Sequence, residues 1–93
     1  MIIGAATIKL YAPWVHSLKE KRMVVKSILA KVQSKFNISI SEVDDQDIHQ
    51  TIIFGMACVA GTVALADSIM DKVISFIGNT TEAEILDTWR EIR

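Results

Sequence analysis

The sequence lacks the features that would stabilise a chain covalently or carry it across a membrane. Its 93 residues include a single cysteine, Cys58, which excludes an internal disulfide and is typical of a reducing cytoplasm. No apolar run approaches the length of about 18 residues that a membrane-spanning helix needs. No basic segment precedes an apolar one at the N-terminus, so we expect no signal peptide and a cytoplasmic protein.

Proline, glycine and aromatic residues are also scarce, with 1 Pro, 4 Gly and 6% aromatics. No linker or repeat is visible, and the 51% hydrophobic content excludes a disordered chain. We therefore predict one globular domain over residues 1–93. The sequence has no GxSxG, HExxH, P-loop or GxGxxG motif, and Cys58 lies in an apolar stretch typical of an inert buried thiol. We accordingly expect a protein that is not an enzyme and needs no cofactor or metal.

Charge is unevenly distributed, although the net charge is only −1. Residues 16–36 contain six basic residues and one acid, or about +5, whereas the rest contains four basic residues and ten acids, or about −6. The sequence thus predicts a positive stripe on an acidic body.

Hydrophobic periodicity predicts six elements. Alternating apolar residues predict strands over residues 2–11, 38–43, 50–60 and about 82–92. A period of 3.6 residues predicts helices over 17–36 and about 62–77. A Ser17-x-x-Glu20 capping box opens the first helix, and Gly78-Asn79 is predicted to close the second. The apolar stripe of the first helix comprises Leu18, Val25, Ile28, Leu29, Val32 and Phe36.

This β-α-β-β-α-β order predicts an α+β, ferredoxin-like sandwich. Its four-stranded antiparallel sheet has the order 4-1-3-2, with both helices on one face. The other face is left bare, carrying Ile3, Ala5 and one apolar set from the third strand. Exposed apolar surface of this kind often marks a partner site.

The first helix carries the main candidate site. Cations are disfavoured at a helix N-terminus, so Lys19, Lys21, Arg22 and Lys26 suggest a phosphate or nucleic-acid backbone as ligand. We place Lys19, Arg22 and Lys26 on one flank of the helix and Lys21 on the other. The alternative is a solvated charged face without a ligand.

Two residues of the preceding loop join this candidate site. Trp14 can stack on a base or pack over the sheet edge, and His16 can contact phosphate or cap the helix locally.

The stretch SEVDDQDIH, residues 41–49, is the most acidic segment. Aspartates of this density are typical of a hairpin turn. A hard-cation site is the alternative, although the spacing is not that of a calcium loop. The potential ligands are Glu42, Asp44, Asp45, Asp47 and His49.

The stretch HSLKEKRMVVKSI, residues 16–28, resembles the signature of the YlxP-like proteins, a small bacterial family of unknown function. The opening MIIG, the segment SEVDDQD and the closing EAEILD are similar to that family as well. The resemblance implies a ferredoxin-like fold, and it implies a ribosomal or RNA partner because relatives tend to be encoded beside translation factors.

Three functions remain open from the sequence. The first is a non-enzymatic accessory protein that binds ribosomal or other structured RNA through the basic helix. The second is a homo-oligomeric interaction module that uses the bare sheet face or a strand edge. The third is a small-molecule or metal-binding enzyme.

Overall fold

The computed structural model describes residues 1–93 and contains the six predicted elements in the predicted order. The strands are β1 (Ile2–Tyr11), β2 (Ser39–Asp44), β3 (Thr51–Ala60) and β4 (Glu84–Ile92), and the helices are α1 (Leu18–Lys35) and α2 (Val63–Thr80). The strands form one antiparallel sheet in the order β2-β3-β1-β4. The predicted fold class and strand order are confirmed.

Two long strands form the centre of the sheet. β1 pairs with β3 along its whole length, from Ile2 opposite Ala60 to Tyr11 opposite Thr51. In both strands alternate residues are buried, because successive side chains of a strand point to opposite faces. The two strands therefore supply the layer of core residues on which the helices pack.

The core is one cluster of 19 buried apolar residues on the helix side of the sheet. Ile8, Leu10, Phe54 and Met70 are among its largest members. The inward faces of the helices complete it, α1 chiefly over β2 and α2 over β1 and β3. Neither helix combines the length and the apolar character that crossing a membrane requires.

The end of α2 differs from the sequence prediction. The helix continues through Gly78 and Asn79 to Thr80, and Thr81 is the C-cap. Gly78 does not adopt the left-handed conformation that would close a helix. A Cβ at Gly78 would lie 3.3 Å from Cδ1 of Ile85, so the glycine lets β4 approach the last turn of the helix. Tertiary packing outweighs the local stop signal here.

The sheet face away from the helices, here called the open face, is formed by the other set of alternate residues. On the two central strands these are Ile3, Ala5, Thr7, Lys9 and Tyr11 of β1 and Ile53, Gly55, Ala57 and Val59 of β3. No element of the chain packs across them. The predicted bare face is therefore present.

Gly4 lies at a close approach between the sheet and α2. A Cβ built on Gly4 would lie 3.0 Å from Cε of Met70, 3.1 Å from Sγ of Cys58 and 3.2 Å from Cβ of Ala66. These distances are shorter than ordinary van der Waals contact, so the neighbouring side chains would have to move to admit a side chain here. At Gly61, by contrast, a Cβ would have no neighbouring atom within 4 Å.

We predict that Gly4→Val lowers the free energy of unfolding by about 1–3 kcal/mol, because overpacking forces α2 away from the sheet. Gly61→Val is the matched control and should change stability by less than about 0.5 kcal/mol. Urea unfolding followed by circular dichroism measures both. Equal stability of the two variants would show that α2 is not packed this closely on β1.

Candidate nucleic-acid interface

The start of α1 is held by its own N-cap. The hydroxyl oxygen of Ser17 accepts a hydrogen bond from the backbone N–H of Glu20 at 3.1 Å. The Glu20 side chain is exposed and does not bond back to the N–H of Ser17. The predicted capping box is therefore formed only on the serine side. Leu18 begins the helix half-buried, which orients the charged residues that follow it.

Lys19, Arg22 and Lys26 form what we call the cationic stripe. All three side chains are exposed, and their spacing of three and four residues places them on one flank of the helix. Together with the exposed Met23 they line a shallow depression. The three ion pairs of the molecule involve other residues, so no carboxylate neutralises the stripe. These three side chains are therefore free to meet an anion.

Lys21 does not belong to this surface, which corrects the sequence interpretation. Its side chain is only 2% exposed, and its Nζ lies 2.9 Å from Oε2 of Glu42 on β2. The same Nζ donates a hydrogen bond to the backbone carbonyl of Asp45. The contact with Glu42 lacks hydrogen-bond geometry, so opposite charge holds that pair and the carbonyl of Asp45 takes the hydrogen bond. Lys21 joins α1 to the hairpin and is not available to a phosphate.

The sequence contained a signal for this burial. Lys21 precedes Val25 by four residues and Ile28 by seven, which is the spacing of a single helix face. Glu42 follows the buried Ile40 by two residues, so both point to the core side of β2. An inward lysine and an inward glutamate together indicate a buried pair.

The loop before α1 places Trp14 and His16 in different surroundings. Trp14 is 39% exposed and borders a groove with Met23, Lys31 and Thr81, on the side of α1 that faces α2. His16 borders a separate depression with Asp47 and other hairpin residues. The structure therefore does not gather the two residues with the cationic stripe into one pocket.

The two remaining lysines of α1 lie on the flank toward α2. Lys31 borders the groove of Trp14. Nζ of Lys35 lies 4.7 Å from the centroid of the Phe76 ring, within the range of a cation–π contact. Lys35 thus has a partner within the protein, unlike the residues of the stripe.

The acidic segment forms the predicted turn between β2 and β3. The N–H of Ile48 donates to the carbonyl of Asp45 at 3.0 Å, and Asp45 adopts a positive φ of 53°. Asp44 accepts from the N–H of Asp45 at 2.9 Å, which is the aspartate turn chemistry expected here. Glu42 points inward to Lys21, whereas Asp44, Asp47 and His49 are exposed. No group of three or more His, Cys, Asp or Glu side chains converges to hold a metal ion.

Cys58 lies on the core side of β3, with its Sγ 4.0 Å from the carbonyl oxygen of Ala66. It packs as a small apolar side chain between the sheet and α2.

We predict that Lys21→Met lowers the free energy of unfolding by about 1–3 kcal/mol, because Glu42 loses its opposite charge and the carbonyl of Asp45 loses one of its two hydrogen-bond donors. Lys26→Met is the matched control on the exposed flank and should shift stability by less than about 0.5 kcal/mol. The double variant Lys21→Met/Glu42→Leu should recover most of the loss, since an apolar pair can replace a buried ion pair. Chemical denaturation of all four proteins tests this, and a loss as large for Lys26→Met as for Lys21→Met would contradict it.

The fold has a counterpart among solved structures. A de novo designed protein with a ferredoxin fold, solved by solution NMR, matches the whole chain with a TM-score of 0.66, over 86% of its own length and at 18% identity. At that identity the similarity concerns the fold alone.

Sequence comparisons agree with the resemblance carried by the first helix. The uncharacterized protein YlxP of Bacillus subtilis (strain 168) is 46% identical over 68 residues, which cover 73% of this chain and 74% of YlxP. The family model described as "Protein of unknown function (DUF503)" matches residues 3–90. The chain therefore belongs to the DUF503 family, which includes YlxP-like proteins and has no assigned function.

Proposed function

We propose that this protein is a non-enzymatic accessory protein that binds structured RNA, such as ribosomal RNA, through the cationic stripe of α1. The observation that carries the proposal is that Lys19, Arg22 and Lys26 are exposed on one flank and unpaired. Three other cations, Lys21, Arg90 and Arg93, each have a carboxylate within 4.0 Å. An anion supplied by a partner would complete the stripe in the same way.

The dimensions of the stripe suit a nucleic-acid backbone. At a rise of about 1.5 Å per residue, Lys19 and Lys26 lie about 10 Å apart along the helix axis. One strand of a double helix advances by a few nucleotides over that length. Three cations at this spacing match a short row of phosphates better than one small anion.

Electrostatics also favour one orientation of such a partner. α1 is basic, whereas the remainder of the chain carries more acids than bases. A polyanion is therefore attracted to one side of the molecule and repelled from the others. Because phosphate contacts position a protein without reading sequence, recognition by this stripe depends on the shape of the RNA.

The open face favours a second candidate function, that of a homo-oligomeric interaction module. Val43, Val59 and Trp89 are large apolar residues exposed there. The strand edges suit such a role less well, since β2 is only six residues long and β4 carries several charged side chains. The two candidate functions use different surfaces and are compatible.

The RNA-binding proposal predicts a salt effect. Replacing Lys19, Arg22 and Lys26 together by glutamine should reduce the slope of log K against log salt concentration by about two to three units. Fluorescence anisotropy of a labelled hairpin RNA, measured over a series of salt concentrations, gives this slope.

The matched control replaces Lys72, Arg90 and Arg93 by glutamine, which lowers the net charge by the same three units away from α1. Its slope should stay close to that of the unmodified protein. Equal slopes for the two triple variants would show that only net charge matters and would remove α1 from the site.

A further inference from the structure

The charged residues of the open face lie at its margins. Residues of β1 and β3 in the middle of the face, such as Ala5, Thr7 and Ala57, are uncharged and only partly buried. Val59, at the end of β3, is 66% exposed. An uncharged middle that no other element covers is typical of the core of an interface.

The charged side chains of the open face lie near its hairpin end and along its β4 edge. Lys9 lies opposite Asp87 near the hairpin end, and Glu84, Asp87 and Glu91 follow the β4 edge. Arg93 hydrogen-bonds to Glu91 and holds the pKa of that carboxyl below its ordinary value, which favours its charged form. This distribution matches an interface with an apolar centre and a polar rim.

The size of the face agrees with this interpretation. With strands about 4.8 Å apart and a rise of about 3.4 Å per residue, the sheet has a projected footprint of about 570 Å². Two such faces contribute about 1,100 Å², and their accessible area is larger because side chains corrugate the sheet. Stable interfaces of standard size begin at about 1,200 Å².

The occupant that this face fits is a second copy of the chain. A two-fold axis brings residues close to their own copies, so a patch with a charged centre repels itself. The centre of the open face has no charge and can therefore pack on itself. The facing layers of aliphatic and small side chains would then form a second core between two sheets about 10 Å apart.

We propose that the protein is a homodimer joined through its open faces, and that the dimer bridges two segments of RNA. The second part rests on the proposed function. In this dimer the helices form the two outer layers, with the axes of the two α1 helices about 30 Å apart, given helix and sheet layers each about 10 Å thick. The two cationic stripes lie on opposite sides, so one RNA segment binds to each side.

Val59→Asp tests the interface, with Val63→Asp as the matched control. Val63 is 47% exposed at the start of α2, away from the open face, and an aspartate is favourable at that end of a helix. Sedimentation at micromolar concentration should show a dimer for the unmodified protein and for Val63→Asp. Val59→Asp should weaken association at least about 10-fold, because it places a carboxylate of each copy against the apolar face of the other.

Trp89→Ser provides a second variant if Val59→Asp does not fold, as judged by circular dichroism, and it should also dissociate the dimer. A monomeric unmodified protein would overturn the proposal. So would a Val59→Asp dimer as stable as that of Val63→Asp.

Bridging is measured with two copies of one hairpin RNA, of which one is biotinylated and captured and the other is fluorescent and free. The measured quantity is the amount of fluorescent RNA that the protein retains on the captured RNA. The dimer should retain it, whereas Val59→Asp should bind a single RNA and retain none. RNA binding without a dimer would overturn the bridge and leave the proposed function intact. A dimer that binds neither RNA would overturn the proposed function and the bridge, while the open-face interface would stand.

Discussion

Two helices can cover only one face of a four-stranded sheet, and the rest of this structure depends on that constraint. Each helix has 18 residues, and two helix diameters of about 10 Å match the width of four strands about 4.8 Å apart. The covered face holds the whole buried core, and the opposite face stays open. The helix α1 that carries the cationic stripe consequently lies on one side of the sheet, and the open face lies on the other. They are free to serve different partners.

The buried pair of Lys21 and Glu42 explains why one short motif contains cations of two kinds. Lys21 faces inward and attaches α1 to the hairpin, whereas Lys19 and Arg22 face outward. Lys21 also connects two of the stretches that carry the family resemblance, HSLKEKR in α1 and SEVDDQD in the hairpin. Part of that resemblance is therefore explained by folding alone. The part that folding does not explain is the cationic stripe.

Much of the architecture could be predicted from local pattern. Alternation in β1 and β3 and the 3.6-residue period in α1 and α2 identified every element, because each buries one face against the same core. The end of α2 was predicted wrongly at Gly78, since the packing of Ile85 is not visible in a local turn signal. Lys21 carries a charge that predicts an exposed side chain, and that prediction is wrong because its spacing places it on the buried face with Val25 and Ile28.

The sequence by itself determined the order of the elements, the inward and outward faces of the strands and the concentration of positive charge in α1, because these follow from periodicity and composition along the chain. Only the tertiary structure decided which cations remain free. The surroundings of these side chains depend on residues distant in sequence. Lys21 meets Glu42, Lys35 lies over Phe76, and Trp14 and His16 border different depressions. A helix has several faces, and the packing of the whole chain decides which of them solvent and a partner can reach.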